Sequence, residues 1–410
     1  MSASHFIKPA YSQRCFSDLP ALIFRLLTGE GRSPLSSLAA PLAERYERVI
    51  FILIDGFGWR FYQQFAEMPL LKRIAREGQT LQLTAQFPST TAAEITCIHT
   101  GQTVGQSGVY EWQYYEPLVD ALITPLLYSH AGTLVRDTLK PTHVDPRKLY
   151  PTETIYPALA ERGYPAHIFQ ARAYTPSTYS DVILQGAQTY PYHTLPEALV
   201  NLRALLERDT APGYYFLYYD ESDSLSHRYG PGGCPTAAQI ETALWAIERF
   251  LVRDMRSSRR TLLLLTADHG QTEVDPQTTL YLNKLPGFER ELRPLLRTNR
   301  NGKLLPPGGS CRDLFLYTRP GAVDEAQAWI TPLVAGQAEV RKSRDMVAQG
   351  YFGPHISDVF LSRLADLVIL PYKGQSVWWY EKGKFEQRYY GHHGGLTPDE
   401  MEIPLAILDV

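Results

Sequence analysis

Continuous apolar runs, each ending in a charged residue or glycine, alternate along this chain with segments of helical periodicity. Three runs lack any polar alternation, which is typical of strands buried on both faces of a sheet: 48–56 (RVIFILIDG), 213–220 (GYYFLYYD) and 261–268 (TLLLLTAD). Further strands are predicted at 164–170 and 403–410, and helices near Leu19–Leu27 and at 59–77, 154–163, 195–208 and 235–255. This alternation predicts an α/β fold with a doubly wound, mostly parallel sheet flanked by helices.

The alternation of predicted strands and helices changes between about residues 280 and 390. Proline and glycine cluster at 306–309, and a strand, a helix and a strand are predicted at 311–318, 323–334 and 365–372. We therefore predict a smaller α+β cap domain at 280–390, inserted into a core formed by 1–279 and 391–410. The cap is expected to close over the site described below.

Composition narrows the classes of function. The 40 basic and 43 acidic residues give a net charge of −3, so no basic field is available to bind duplex nucleic acid. The four cysteines lie far apart without CxxC spacing, which argues against a disulfide framework. No apolar leader and no run long enough to span a membrane is found, so a cytoplasmic location without membrane association is expected. The oligomeric state stays open.

Acidic residues and a histidine follow the predicted buried strands directly. Asp55 ends the run at 48–56, and Asp268 and His269 end the run at 261–268, where Gly270 allows a sharp turn. In open α/β sheets, ligands bind at the carboxyl ends of the strands, so we expect these side chains to meet one ligand. The alternative for Asp55 is a cap on the following helix.

Two further loops carry candidate ligands. Asp223 and His227 lie four residues apart after the strand at 213–220, which places both on one helical face or around a tight loop. Asp223 is preferred, with Asp220 as the alternative. Near the C-terminal strand, His393 directly precedes two glycines and is preferred over His392.

Thr91 begins a predicted helix within FPSTTAAEITCIHTG (87–101). A hydroxyl at a helix N-terminus lies beside free backbone N–H groups and the positive end of the helix dipole, which favours an anion. Ser89 and Thr90 are alternative hydroxyls, and a plain N-cap is the alternative role. With Thr91, the three carboxylates and three imidazoles suit two zinc-like ions and a nucleophile between them.

The order of these motifs resembles the alkaline phosphatase superfamily, and most closely its type I phosphodiesterase and nucleotide pyrophosphatase branch. The motifs are IDG, FPSTT followed by TG, an Asp and a His four residues apart after a strand, ADHG, and HGG; they cover the main sheet, residues 48–275 and 391–410. The resemblance implies an alkaline phosphatase-like core with two divalent ions, most simply zinc, with manganese as the alternative. It implies that one ion is held by Asp55, Asp268 and His269, with Thr91 as the nucleophile on it, and the second by Asp223, His227 and His393.

The resemblance also implies an activity. We expect hydrolysis of a small phosphodiester or a nucleotide through a phosphothreonine at Thr91. A phosphomonoesterase, a phosphomutase and a non-catalytic metal-binding module are the alternatives. A sulfatase is not expected, because its C/S-x-P-x-R motif is absent around Thr91.

Three residues are expected to contact the substrate. The branch usually has an asparagine three residues after the nucleophile, where this chain has Glu94. An ionised Glu94 would repel a phosphoryl group, so we expect it to be protonated, to bind a further cation or to face a positive group of the substrate. Tyr110 and Trp112, in an aromatic stretch after the nucleophile helix, are the other candidates, and packing under the cap is their alternative role.

Overall fold

A seven-stranded sheet organises the molecule. The structure is a computed structural model that describes residues 6–38, 42, 45–208, 211–253, 255 and 259–410. The strands of this sheet are Arg48–Ile54 (β1), Gln79–Thr84 (β2), Ala166–Ala171 (β3), Gln188–Tyr192 (β4), Gly213–Tyr219 (β5), Thr261–Thr266 (β6) and Glu402–Asp409 (β7). Their order across the sheet is β2-β7-β6-β1-β5-β3-β4. Only β7 runs against the others, so the predicted α/β class with a mostly parallel sheet is confirmed.

Helices surround this sheet close to where periodicity predicted them. The predicted helix at 59–77 is wrong as a single element, because Pro69 opens a second helix and the chain is extended at Met68. The helix predicted at 235–255 ends its regular part at Ile247 and continues as a π-helical turn, Glu248–Val252. The α-helices are Leu19–Thr28, Trp59–Gln64, Pro69–Glu77, Thr91–Thr100, Val104–Ser107, Tyr156–Glu161, Thr178–Ile183, Leu195–Arg208, Glu221–Tyr229, Cys234–Ile247, Val323–Leu333, Ser343–Ala348, Asp358–Arg363 and Pro398–Met401.

The region predicted as a cap contains its own small sheet. Its antiparallel strands are Leu314–Leu316, Leu367–Pro371 and Ala338–Lys342, in that spatial order. The side chains of Phe315 and Val368 join the main hydrophobic core, whereas those of Leu314 and Leu367 pack in a second cluster with the helix Val323–Leu333. This sheet therefore links two cores, and the domain boundaries at 280 and 390 stay a prediction.

Several short strands complete the fold. Tyr114–Glu116, Ala121–Thr124 and Ser129–His130 form a three-stranded antiparallel sheet that the sequence patterns did not predict. Leu280–Tyr281 pairs with Val377–Trp378, and Thr272–Glu273 pairs with Gly391–His392. The last pair joins the loop after β6 to the loop before β7.

Two expectations from composition can be compared with the structure. All four cysteines are free, as their spacing predicted. Across the residues that the structure describes, no helix combines the length and apolar character needed to cross a bilayer.

The three central strands end at the same edge of the sheet. Ile54 of β1 pairs with Tyr219 of β5, and Leu53 of β1 pairs with Thr266 of β6. Because the strands are parallel and in register, the residues that follow them are brought close together. This edge carries the candidate site.

Candidate metal centre

The first group of side chains joins the ends of β1 and β6. Ligand atoms of Asp55, Asp268 and His269 all lie within 4.8 Å of one another, and all three residues are buried. His269 Nε2 lies 3.4 Å from Asp55 Oδ1 and 3.4 Å from Asp268 Oδ2. Both of these carboxylate oxygens are buried without a hydrogen-bond partner among the described residues. Two orphaned carboxylate oxygens and one imidazole nitrogen at this spacing are what a divalent cation requires.

The second group lies beside the first and is half-buried. Asp223 and His227, on the helix Glu221–Tyr229, come together with His393 from the loop before β7, again with ligand atoms within 4.8 Å of one another. His227 Nε2 lies 3.3 Å from Asp223 Oδ2, and His393 Nε2 lies 3.9 Å from Asp223 Oδ1. The rings of His269 and His393 stack with centroids 3.6 Å apart, so the two groups adjoin.

The alternatives that the sequence left open lie outside both groups. Asp220 accepts a hydrogen bond from the Tyr174 hydroxyl, and His392 Nδ1 lies 3.0 Å from the carbonyl of its neighbour His393. Neither joins a cluster of ligand atoms among the described residues. The geometry therefore supports Asp223 and His393 as the ligands.

Backbone carbonyls fix the orientation of all three imidazoles. The Nδ1 atoms of His227, His269 and His393 lie 2.8, 3.0 and 2.9 Å from the carbonyl oxygens of Gly391, Gly270 and Ser89, respectively. A carbonyl can only accept, so Nδ1 carries the proton, and in the neutral ring Nε2 is left free to bind a cation. This is the arrangement found around metal-binding histidines.

Thr91 lies beside one carboxylate and the imidazole of the first group. Its Oγ1 is 3.1 Å from His269 Nε2 and 3.5 Å from Asp55 Oδ2. The hydroxyls of Ser89 and Thr90 are committed elsewhere, since they donate to the carbonyls of Gly395 and Tyr110. Thr90 is the N-cap of the helix Thr91–Thr100, with its Oγ1 accepting from Ala93 N. The cap thus sets Thr91 as the first helical residue facing the groups.

The pKa values of the carboxylates reflect their burial and their closeness to one another. Burial, together with the charges of Asp268 and Asp223, raises the pKa of Asp55 well above its ordinary value. Burial raises the pKa of Asp268 to about 6, with the charge of Asp223 adding to the effect. The ionised forms of Asp55 and Asp268 are therefore disfavoured here, and a divalent cation would supply the positive charge that favours them.

The three imidazoles differ in how strongly Asp223 affects their pKa. Burial lowers the pKa of His269 to about 4 and that of His393 to about 3, so both are neutral at pH 7. Burial also opposes protonation of His227, but the adjacent Asp223 carboxylate outweighs it and raises the pKa of His227. Asp223 is affected in the opposite direction, because His227 overcomes the effect of burial and lowers its pKa. Each of these two residues therefore favours the charged form of the other.

Two glycines permit the close approaches around these groups. Gly56 has a φ of +69°, and a Cβ added to it would lie 3.1 Å from Asp223 Oδ1. Gly394 has a φ of +119°, and a Cβ there would lie 2.6 Å from Asp313 Oδ1. Both positions combine a left-handed backbone with no room for a side chain, which accounts for the glycines in the IDG and HGG motifs.

A cleft with a cavity volume of about 840 Å³ opens over both groups. Trp112 lines this cleft and is 42% exposed, so it is available to a ligand. Tyr110 does not line the cleft: it is fully buried, stacks on Tyr114 and donates to the carbonyl of Arg363. Its structural position is that of a packing residue, which was the alternative role.

Glu94 also lies away from the cleft. It is fully buried, and its two carboxylate oxygens accept hydrogen bonds from the backbone N–H and the side-chain amide of Gln86. Burial raises the pKa of Glu94 well above its ordinary value. The expected substrate contact is corrected by this geometry, because the side chain turns from the helix into the core.

Sequence reasoning missed the residues that hold the ligands in place. The Tyr218 hydroxyl donates to Asp55 Oδ2, and the Gln271 side chain donates to Asp223 Oδ1. The Ser222 hydroxyl donates to the backbone carbonyl of Asp55 at 2.9 Å. Tyr218 lies within the apolar run of β5, where nothing in the sequence separates it from neighbouring tyrosines. The position of Gln271, directly after DHG, was the one available signal.

Three similar proteins give this geometry a context. The human ectonucleotide pyrophosphatase/phosphodiesterase family member 7 is 24% identical over 285 residues, which is 65% of this chain and 58% of that protein; this chain therefore spans less than two thirds of that relative. The structure of murine ectonucleotide pyrophosphatase/phosphodiesterase 5 has a TM-score of 0.61 at 16% identity and covers 87% of both chains. Phosphonoacetate hydrolase from Sinorhizobium meliloti, in complex with phosphonoacetate, has a TM-score of 0.62 at 17% identity and covers 87% of this chain and 89% of that one.

Both structural likenesses establish a shared alkaline phosphatase-like fold. Family membership rests on the sequence, because the profile of one family, described as "Type I phosphodiesterase / nucleotide pyrophosphatase", matches residues 49–396. This span includes all of β1 except Arg48, and every residue of the two ligand groups. The chain belongs to the type I phosphodiesterase / nucleotide pyrophosphatase family.

Proposed function

We propose that this protein is a metal-dependent phosphodiesterase that acts on a small phosphodiester or a nucleotide, with Thr91 as its nucleophile. The observation that carries the proposal is the position of the Thr91 hydroxyl, 3.1 Å from His269 Nε2 and 3.5 Å from Asp55 Oδ2, at the start of a helix. A hydroxyl beside a candidate cation site and at a helix N-terminus is suited to phosphoryl transfer.

Two divalent cations fit the donor atoms. Asp55, Asp268 and His269 would hold one, and Asp223, His227 and His393 the other. Carboxylates with imidazoles suit zinc best, and manganese is the alternative. When bound, these ions supply positive charge to the phosphoryl oxygens and lower the pKa of hydroxyl groups.

The residues of the chain carry out the remaining steps of the reaction. The Thr91 oxygen attacks phosphorus and the bond to the leaving oxygen breaks, while the hydroxyl proton is transferred to that oxygen. This step gives a phosphothreonine that is still esterified to the other half of the substrate, and a free alcohol or phosphate. Water then cleaves the bond between the Thr91 oxygen and phosphorus, which releases a phosphomonoester and restores the hydroxyl. At the start of the helix Thr91–Thr100, the N–H groups of Ala93 and Glu94 donate to the side chain and the carbonyl of Thr90. The N–H groups of Thr91 and Ala92, at the positive end of the helix dipole, are the ones left to face the phosphoryl oxygens. Trp112, at the open side of the cleft, is placed to contact the rest of the substrate.

The test is hydrolysis of bis(p-nitrophenyl) phosphate by zinc- or manganese-supplemented protein. Thr91→Ala should abolish turnover, because no other hydroxyl occupies its position, while metal content by elemental analysis stays that of the wild type. Thr100→Ala removes a hydroxyl at the far end of the same helix, where it donates to the carbonyl of Thr96, and should retain activity.

Three outcomes would contradict the proposal. Near-wild-type turnover by Thr91→Ala would refute the nucleophile. Fewer than one tightly bound metal ion per chain would refute the metal centre. If the protein binds metal but hydrolyses only p-nitrophenyl phosphate, the phosphomonoesterase alternative is favoured. If it binds metal and hydrolyses neither p-nitrophenyl phosphate nor bis(p-nitrophenyl) phosphate, the phosphomutase and non-catalytic alternatives are favoured.

A further inference from the structure

Three cationic side chains line the cleft, and their surroundings differ. Lys384 forms an ion pair with Glu381, and Arg388 forms one with Glu386. Arg136 forms no ion pair or hydrogen bond with any residue that the structure describes, although it is only partly exposed. A guanidinium that is partly removed from water and has five unused donors is suited to an anionic ligand.

The carboxylates nearest to Arg136 are committed to other groups. The adjacent Asp137 accepts from Lys140 Nζ and from the Thr178 hydroxyl, each at 2.7 Å. Asp220, which also lines the cleft, accepts from the hydroxyl of Tyr174. Neither carboxylate reaches the guanidinium within ion-pair distance. The positive charge of Arg136 is therefore not paired with any carboxylate of the described residues.

Aromatic rings hold the guanidinium on the wall that leads to the metal centre. Arg136 Cζ lies 5.5 Å from the centroid of the Tyr174 ring, a cation–π contact that fixes the plane of the side chain. The Tyr174 ring lies 6.2 Å from the ring of Tyr218, and the Tyr218 hydroxyl donates to Asp55. The rings of Tyr174 and Tyr218 thus connect Arg136 with the candidate metal ligand Asp55 along one side of the same cleft.

A second donor lines the same cleft. Gln170 is 7% exposed, lines the cleft, and uses its Oε1 to accept from the Thr175 hydroxyl at 2.9 Å. That contact fixes the orientation of the amide, so its N–H₂ group remains to donate. Among the described residues it has no acceptor. A buried amide donor and an unpaired guanidinium on one cleft are the elements of an anion site.

We propose that Arg136 and Gln170 form an anion subsite that selects phosphodiesters whose far half carries a second anionic group, a phosphate or a carboxylate. This inference rests on the proposed function, since it concerns the substrate of that site. It makes Arg136 a specificity-determining residue, because it would contact the substrate away from the reacting phosphorus. An anionic group bound there forms charge-assisted hydrogen bonds that a neutral group cannot form.

The test compares three p-nitrophenyl phosphodiesters with the same four-carbon linker, which ends in a methyl group, a carboxylate or a phosphate. The wild type should show a lower KM for one or both anionic esters than for the methyl ester. Arg136→Gln should raise the KM for the preferred anionic ester about 10- to 100-fold, the loss typical of a hydrogen bond to a charged group. The rise for the methyl ester should be at least tenfold smaller. The two anionic esters distinguish a phosphate from a carboxylate.

Two further variants distinguish a specific anion site from a general effect of positive charge in the cleft. Arg388→Gln removes an equal charge from the same cleft, but one that Glu386 already neutralises, and should change the KM ratio less than twofold. Arg136→Lys keeps the charge without the planar fork and should recover only part of the preference. Equal KM values for all three esters in the wild type, or equal effects of Arg136→Gln and Arg388→Gln, would overturn the inference. Either of these results would leave the proposed function unaffected. Turnover of these esters by Thr91→Ala would instead contradict the proposed function and would not bear on the anion subsite.

Discussion

Removal of one hydroxyl, in Tyr218→Phe, tests whether the first group is a metal site. Tyr218 is 6% exposed, and its hydroxyl donates to Oδ2 of Asp55, whose Oδ1 faces His269 without a hydrogen-bond partner. Loss of a residue that orients a metal ligand typically reduces metal affinity about 10- to 100-fold. This corresponds to about 1.4 to 2.7 kcal/mol, in the range of about 1.5 to 3 kcal/mol for a hydrogen bond to a charged group.

The direction of this effect also follows from proton competition. The hydrogen bond from Tyr218 lowers the pKa of Asp55, which burial otherwise raises. Without the hydroxyl, Asp55 holds its proton more tightly, and a metal ion must displace it. We therefore expect the loss of affinity in Tyr218→Phe to increase as the pH falls from 8 to 6.

The assay is a zinc titration of metal-free protein against a chromophoric chelator at fixed pH, with Tyr214→Phe as the matched control. Tyr214 lies on the same strand, β5, is fully buried, and its hydroxyl has no partner among the described residues. Its removal should leave zinc affinity unchanged. If Tyr218→Phe and Tyr214→Phe bind zinc equally, Asp55 is not a ligand and the reasoning fails.

Two further predictions concern stability. Arg312 and Glu400 form a fully buried, bidentate ion pair at 2.9 Å, so Arg312→Met should leave an unpaired buried carboxylate and cost about 3–5 kcal/mol, measured by urea unfolding. The double variant Arg312→Met/Glu400→Gln should recover part of this loss; no recovery would contradict the explanation. Burial lowers the pKa of His99 to about 3, so the folded state binds fewer protons than the unfolded state below pH 6.5. Stability should therefore fall by up to about 1.4 kcal/mol per pH unit on acidification between pH 6.5 and 3, and His99→Gln should show a shallower slope than the wild type.

The framework of the site was predictable because it follows from strand ends. The apolar runs that end at Asp55 and Asp268 are typical of buried strands, and parallel strands bring their carboxyl ends to one edge. The spacing of Asp223 and His227 fitted either one helical face or a tight loop, and the helix Glu221–Tyr229 shows that the first is the case. The site assignments themselves, the metal ions and the cytoplasmic location remain predictions.

Burial and partners could not be predicted from local sequence. Glu94 follows Thr91 by three residues on the same helix, and only the packing of Gln86 against it determines that it points into the core. Tyr110 and Trp112 belong to one aromatic stretch, yet one is buried and the other 42% exposed. Such differences depend on which distant segments cover each side chain, and periodicity carries no information about them.

The placement of β7 has a consequence for biosynthesis. This strand lies between β2 and β6 and pairs with both, although it follows β2 by roughly three hundred residues. At about 5–20 residues per second, a ribosome needs roughly 15 to 60 s to translate that interval. Until residue 409 has left the ribosome, β2 has no partner strand and β6 has an open edge, which exposes backbone donors and acceptors to other chains. Because His393 lies shortly before β7, closure of the sheet and completion of the second ligand group belong to the same late event, and the nascent chain needs protection from aggregation until then.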